Sequence, residues 1–129
     1  MQKEIIYTKN APEPVGPYSQ AVQVNGFMYC SGMIPINPAT SEVLKGSVAE
    51  QAELCLLNVK ALLESCDLSL SHVVKTMIYL TDMSKFAEFN EVYSKYFNEG
   101  KPARSCVAVS ELPKGVDVEV EVIAVLKKQ

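Results

Sequence analysis

The last stretch of the chain alternates. Val116, Val118, Val120, Val122, Ala124 and Leu126 occupy one parity, and Asp117, Glu119, Glu121, Ile123 and Val125 the other. Period-two alternation predicts a strand over residues 116–126 with one face in the core. The second face begins acidic and turns apolar. A face that met only solvent would not carry Ile123 and Val125, so the pattern predicts that it is covered at least at one end.

Two segments show helical spacing instead. Val48, Ala52, Cys55, Leu56, Val59, Leu62, Leu63 and Cys66 form one stripe and predict a helix over 48–65. Ser47 and Glu50 stand at the spacing of a capping box at its start. Phe86, Phe89, Val92, Tyr93, Tyr96 and Phe97 predict a second helix over 84–98, stopped by Gly100 and Pro102. The β-branched run Val73–Leu80 and the segment Ala103–Val109 predict strands. Asn25-Gly26 lies between Ser19–Val24 and Phe27–Ser31, which reads as a tight hairpin ended by Gly32. Glu4–Tyr7 adds a short first strand, and the proline-rich 11–17 segment is a rigid loop. Each helix has a single apolar stripe, so both can lie on one face of one sheet. The other face then meets water or another subunit, and the two-sided last strand favours a subunit.

Composition narrows the classes. The 129 residues fit one domain, 1–129. With 48% apolar residues the chain is no disordered tail. A formal charge of −3 argues against a nucleic-acid backbone binder. No apolar run approaches the roughly 18 residues of a membrane span, so no membrane partner is expected. The N-terminal residues lack the apolar stretch of a signal peptide, which makes the cytosol the expected compartment. Cys30, Cys55, Cys66 and Cys106 form no Cys-x-x-Cys pair. With the single histidine, His72, they show no zinc-ligand spacing, so no metal is expected. Cys30, Cys55 and Cys66 read as small buried residues.

Candidate chemistry is sparse. Arg104 stands among small and apolar residues at the start of a strand, where an arginine either pairs with a carboxylate, structural or substrate, or snorkels to solvent. Asp117, Glu119 and Glu121 share a face with Ile123 and Val125, and a carboxylate beside an apolar patch can exchange protons near neutrality. The pattern does not choose among the three. Tyr18 follows a Gly-Pro turn, and Ser31 precedes Gly32 at a strand end, both positions that often face a cleft.

Together these segments resemble the motifs of one family. Gly16-Pro17-Tyr18-Ser19-Gln20-Ala21, Ser31-Gly32, Pro102-Ala103-Arg104-Ser105-Cys106-Val107 and Val118-Glu119-Val120-Glu121 are similar, in order, to those of the RidA (YjgF-like) family. Asn58, Lys60 and Val74-Lys75-Thr76 also fit. The resemblance implies an α+β fold like chorismate mutase: a mixed β-sheet with two helices packed on one face, assembled as a homotrimer with clefts between subunits. It implies hydrolysis of reactive enamine and imine intermediates, 2-iminobutanoate and 2-iminopropanoate, to 2-oxo acids and ammonia. Such intermediates arise from pyridoxal-phosphate enzymes, and the hydrolysis needs no cofactor. By matching position, Arg104 would bind the substrate carboxylate and Glu119 would activate water or shuttle the proton. Tyr18, Ser31, Gly32 and Cys106 would line the pocket.

The chain departs from the family pattern in three places. Met33 stands where Gln is common, Asp67 stands where a Gly commonly follows the first helix, and the segment before Pro102 is shorter. Two alternative functions remain at this level: a non-catalytic module that binds 2-oxo acids, and a chaperone-like or translation-inhibiting interaction protein.

Overall fold

The computed structural model describes residues 2–127. Asn25 and Gly26 take φ of 52° and 82°, the two consecutive positive values that a two-residue turn needs to match strand twist. They join β2 (Ala21–Val24) to β3 (Phe27–Cys30), each shorter than the sequence pattern suggests. β1 (Glu4–Ile6) adds to the outside of β2. The capping box forms as expected, with Ser47 accepting from the Glu50 N–H and Glu50 accepting from the Ser47 N–H. It opens α1 (Val48–Glu64). β4 (Val73–Leu80) follows, then α2 (Phe86–Tyr96), β5 (Ala103–Ala108) and β6 (Val118–Val125). α2 starts two residues later than expected because Met83–Lys85 make a 3-10 turn, with Asp82 accepting from the Ser84 N–H.

The sheet runs β1-β2-β3-β6-β4-β5. Among the described residues only β4 and β5 pair in parallel, the crossover being α2. Placing the last strand between β3 and β4 explains its valines. Val118, Val120, Val122 and Ala124 are fully buried under the helices, as are Ile78 and Leu80 of β4. A register shift between Val73 and Lys75 lets both Val73 and Thr76 face that core, and it turns Val74 outward.

The opposite face of the sheet carries Phe27, Tyr29, Val107, Ile123 and Val125. Phe27 pairs with Val125, and Tyr29 with Ile123. Tyr29 is 44% exposed and Val107 46% exposed in one copy of the chain. The cover expected for this face is therefore not supplied by the chain itself.

Asp67 takes φ of 59° just after α1. A left-handed residue at a helix C-terminus is ordinarily glycine. This marks Asp67 as a strained occupant of a position suited to glycine.

Candidate functional site

The fold sorts the three acidic candidates, Asp117 just ahead of β6 and Glu119 and Glu121 within it. Asp117 is fully engaged: its carboxylate accepts from Gln51 Nε2 at 2.9 Å and from Thr81 Oγ1 at 3.1 Å. Its own N–H donates to Gln51 Oε1 at 2.8 Å. It fastens β6 to α1. Glu121 accepts from the Tyr79 hydroxyl across the open face at 3.0 Å. Among the described residues Glu119 has neither kind of tie. Its half-buried carboxylate lies against the backbone of Gly32, so closely that a Cβ there would fall 1.8 Å from Oε2. Burial pushes the Glu119 pKa above the ordinary carboxylate range, and the charge of Glu121 adds to that push. Of the three, Glu119 is the one free to handle a proton.

A cavity of about 380 Å³ opens in front of it. Tyr18, Ser31, Gly32, Met33, Lys114 and Glu119 are among its lining residues. Ser31 is fixed by donating from Oγ to the Ser19 carbonyl at 2.6 Å. The Tyr18 hydroxyl accepts from the Val15 N–H at 3.4 Å, which holds the ring over the proline-rich loop. Met33 pairs with Val120 through two backbone hydrogen bonds of 2.7 and 3.0 Å, drawing the 31–33 segment alongside β6. Its side chain is buried in the core together with Val120, its partner across the bridge.

Two buried amides hold the loops around the cavity, and neither stood out in the sequence as a site residue. The Gln20 side chain accepts from Thr8 N–H at 2.7 Å and donates to the carbonyls of Thr8, Ala11 and Pro12. Asn58 on α1 donates to the carbonyls of Ile34 and Ile36. The signal available was Gln20 inside a quoted motif and Asn58 on the apolar stripe of α1, where an amide needs a partner.

Arg104 is elsewhere. In β5 it pairs with Thr76, which pairs with Val122. That register points Arg104 to the helix side of the sheet, as it does Cys106 two residues on. Glu119 pairs with Tyr79, which pairs with Val107, on the opposite face. Within one chain the sheet separates the arginine from the carboxylate. Tyr18, Ser31, Gly32 and Glu119 come together, while Arg104 and Cys106 do not join them. Among the described residues Arg104 meets no carboxylate there: its Nη1 donates to Asn90 Oδ1 at 2.6 Å. Its guanidinium carbon lies 4.7 Å from the Tyr93 ring centre and 5.3 Å from that of Phe86. Asn90 was not singled out in the sequence, and Phe86 and Tyr93 read there as core.

Among the described residues, no three His, Cys, Asp or Glu side chains gather to hold a metal ion. Burial raises the Cys30 thiol to about 12 and the Cys55 thiol well above its ordinary value. Burial also raises Cys106, against a smaller opposing pull from Arg104. A thiol so raised stays protonated at neutral pH and makes a poor nucleophile. His72 stands in a 3-10 turn, where its Nδ1 accepts from the Ser69 N–H.

Comparison with known proteins gives a consistent result. Residues 8–126 match the family described as Endoribonuclease L-PSP. A RutC family protein of Pyrococcus abyssi is 52% identical over 124 residues, covering 96% of this chain and 98% of that one. The structure of RidA from an Antarctic Psychrobacter superposes with a TM-score of 0.91 at 44% identity, over 95% of this chain and 99% of that one. E. coli TdcF with bound serine superposes at 0.90 with 42% identity, over 96% and 99%. The chain therefore belongs to the RidA/YjgF family, a family that handles reactive enamines and imines.

Proposed function

We propose that this protein hydrolyses 2-imino acids, 2-iminobutanoate and 2-iminopropanoate among them, to 2-oxo acids and ammonia. The observation that carries the proposal is the division of the site. One face of the sheet offers a proton-exchanging carboxylate in a cavity. The far edge offers a cation, Arg104, whose guanidinium is bonded to an amide and, among the described residues, to no carboxylate. A 2-imino acid carries both complementary groups on adjacent carbons, an anionic carboxylate and an electrophilic C=N. A second copy of the chain, set with its β5 edge against the cavity of the first, closes one site from the two halves. The exposed apolar face of the sheet is the surface such a copy would cover. A trimer repeats that contact three times and closes the ring.

The reaction in that site needs only a placed water and proton movement. Arg104 takes the substrate carboxylate through its planar fork. Glu119 accepts a proton from water as the water oxygen bonds to the imine carbon and the C=N electron pair moves to nitrogen. The tetrahedral product is a carbinolamine. Return of that proton to nitrogen completes the NH2 group; Glu119 then takes the hydroxyl proton and passes it to the same nitrogen, so that ammonia leaves as the C–N bond breaks and the oxygen lone pair forms the C=O of the 2-oxo acid. The raised pKa of Glu119 suits both halves of this exchange. The bound serine in TdcF, an amino acid with the same carboxylate, supports the ligand class.

The test is a coupled assay. Threonine dehydratase generates 2-iminobutanoate, and release of 2-oxobutanoate is followed with and without this protein. Acceleration that Arg104→Ala abolishes is the expected result. Binding of 2-oxobutanoate by calorimetry without any acceleration would instead make the protein a binding module.

A further inference from the structure

Arg104 is held by one face of α2. Phe86, Asn90 and Tyr93 fall at i, i+4 and i+7 along that helix, and therefore on one side of it. Asn90 fixes one guanidinium nitrogen, at 2.6 Å. The two aromatic rings lie within cation–π reach of the guanidinium carbon. A guanidinium that grips a carboxylate with two parallel hydrogen bonds must hold its plane as well as its place. The nearer ring, Tyr93, is the one able to set that plane.

The Tyr93 ring is in turn located by Thr76. The Tyr93 hydroxyl and Thr76 Oγ1 are 2.9 Å apart in the interior. Thr76 is wholly buried on β4, directly opposite Arg104 in the parallel register. Its neighbours on that face, Val73, Ile78 and Leu80, are apolar. Valine would fill the same volume with no hydroxyl to desolvate, so packing alone gives no reason for a threonine here. Burial raises the Tyr93 pKa, which keeps the phenol protonated and its hydrogen bond to Thr76 intact across the physiological range.

We infer that Thr76 and Tyr93 are positioning residues for Arg104: their buried hydroxyl pair locks the ring whose face sets the guanidinium plane. The inference rests on Arg104 being the carboxylate clamp. Neither residue need touch substrate. The pair acts through Arg104 and should govern how tightly the substrate carboxylate is held, leaving the proton transfer at Glu119 alone.

The experiment compares Thr76→Val, Tyr93→Phe, their double variant and Arg104→Ala in the coupled assay, with thermal melts of each. Thr76→Val and Tyr93→Phe are each expected to raise KM about three- to tenfold with kcat within about twofold. The double variant should be no worse than either single one, because the two changes break one interaction. The Arg104 Nε–Hε signal in nuclear magnetic resonance gives a readout independent of turnover. It should report a restrained side chain in the parent and a mobile one in both single variants. If melts shift while KM and the Arg104 signal stay at parent values, the hydroxyl pair is merely structural and the positioning role is overturned. If Arg104→Ala itself keeps parental activity and KM, instead of losing activity, the clamp reading fails and the inference falls with it.

Discussion

The Glu119 carboxylate occupies the space that a side chain at residue 32 would need: a Cβ on Gly32 would lie 1.8 Å from Oε2 and 2.7 Å from the carboxyl carbon. The glycine is there for close approach and not for an unusual backbone angle. Gly32→Ala is therefore expected to displace the carboxylate while leaving the strand ends in place. A misplaced reacting group costs on the order of 10²-fold, which should appear in kcat/KM. Circular dichroism should still show the folded protein. Parent-like turnover in Gly32→Ala would mean that the position of Glu119 does not matter.

Glu119→Gln removes the proposed proton acceptor and is expected to lower kcat by roughly 10²–10⁴-fold. In the parent, kcat/KM should fall as pH drops through the raised Glu119 pKa, at a higher pH than an ordinary glutamate would give. Glu121→Gln removes the second cause of the shift and should move that limb downward. The same shift has a sign for stability. A carboxyl whose pKa is raised by folding holds its proton more tightly in the native state. That favours the fold below the ordinary glutamate value, and the advantage is lost as pH rises through the raised native value. Glu119→Gln should consequently melt higher than the parent at pH 7, with the difference closing in acid. A variant that melts lower at pH 7 would contradict the burial argument.

Asp67 is expected to be a site of recoverable stability. Its φ of 59° is natural to glycine and strained for aspartate. Asp67→Gly should raise unfolding free energy by about 0.5–1 kcal/mol in urea denaturation, with kinetics unchanged. Loss of stability would show that the Asp67 side chain gives back more than its backbone costs.

Gln20 tests whether the loop at the cavity mouth depends on one amide. Gln20→Leu strands the Thr8 N–H and three carbonyls, and such losses run to about 2–4 kcal/mol. Proteolysis within residues 8–18 should accelerate, and KM should rise as Tyr18 loses its support. An unchanged digestion pattern would argue that other contacts hold the loop.

Cys106 is expected to be dispensable as a thiol. Its pKa is raised by burial, and it stands on the helix side of β5 beside Arg104. Cys106→Ser should keep kcat within about threefold, measured in the coupled assay. A loss comparable to that in Glu119→Gln would give the sulfur a chemical role.

Much of the fold was legible because periodicity and punctuation agreed. Asn25-Gly26, the Ser47–Glu50 box and the alternation of β6 each encode a local geometry that tertiary packing had no reason to override. Boundaries erred where the chain tightened before settling, as at the 3-10 turn Met83–Lys85 that precedes α2. The site was less legible. Local pattern could not separate Asp117, Glu119 and Glu121, because what separates them is their partners elsewhere in the fold: Gln51 of α1 and Thr81, the bare backbone of Gly32, and Tyr79. Phe86 and Tyr93 looked like core because they are partly core. Their second use appears only when β5 places Arg104 beside α2. That Arg104 and Glu119 face opposite sides of the sheet follows from strand pairing, which no single-strand pattern reveals.

The central claim is that the working site takes Glu119 from one copy and Arg104 from another. The most direct measurement is complementation. Arg104→Ala and Glu119→Gln proteins are each assayed alone, then unfolded together in equal amounts, refolded and assayed again. Each alone should be nearly inactive. The mixture should recover about a quarter of parental activity, the share of interfaces at which an intact Glu119 meets an intact Arg104 in a ring of randomly mixed copies. A mixture as inactive as its components would contradict the shared site.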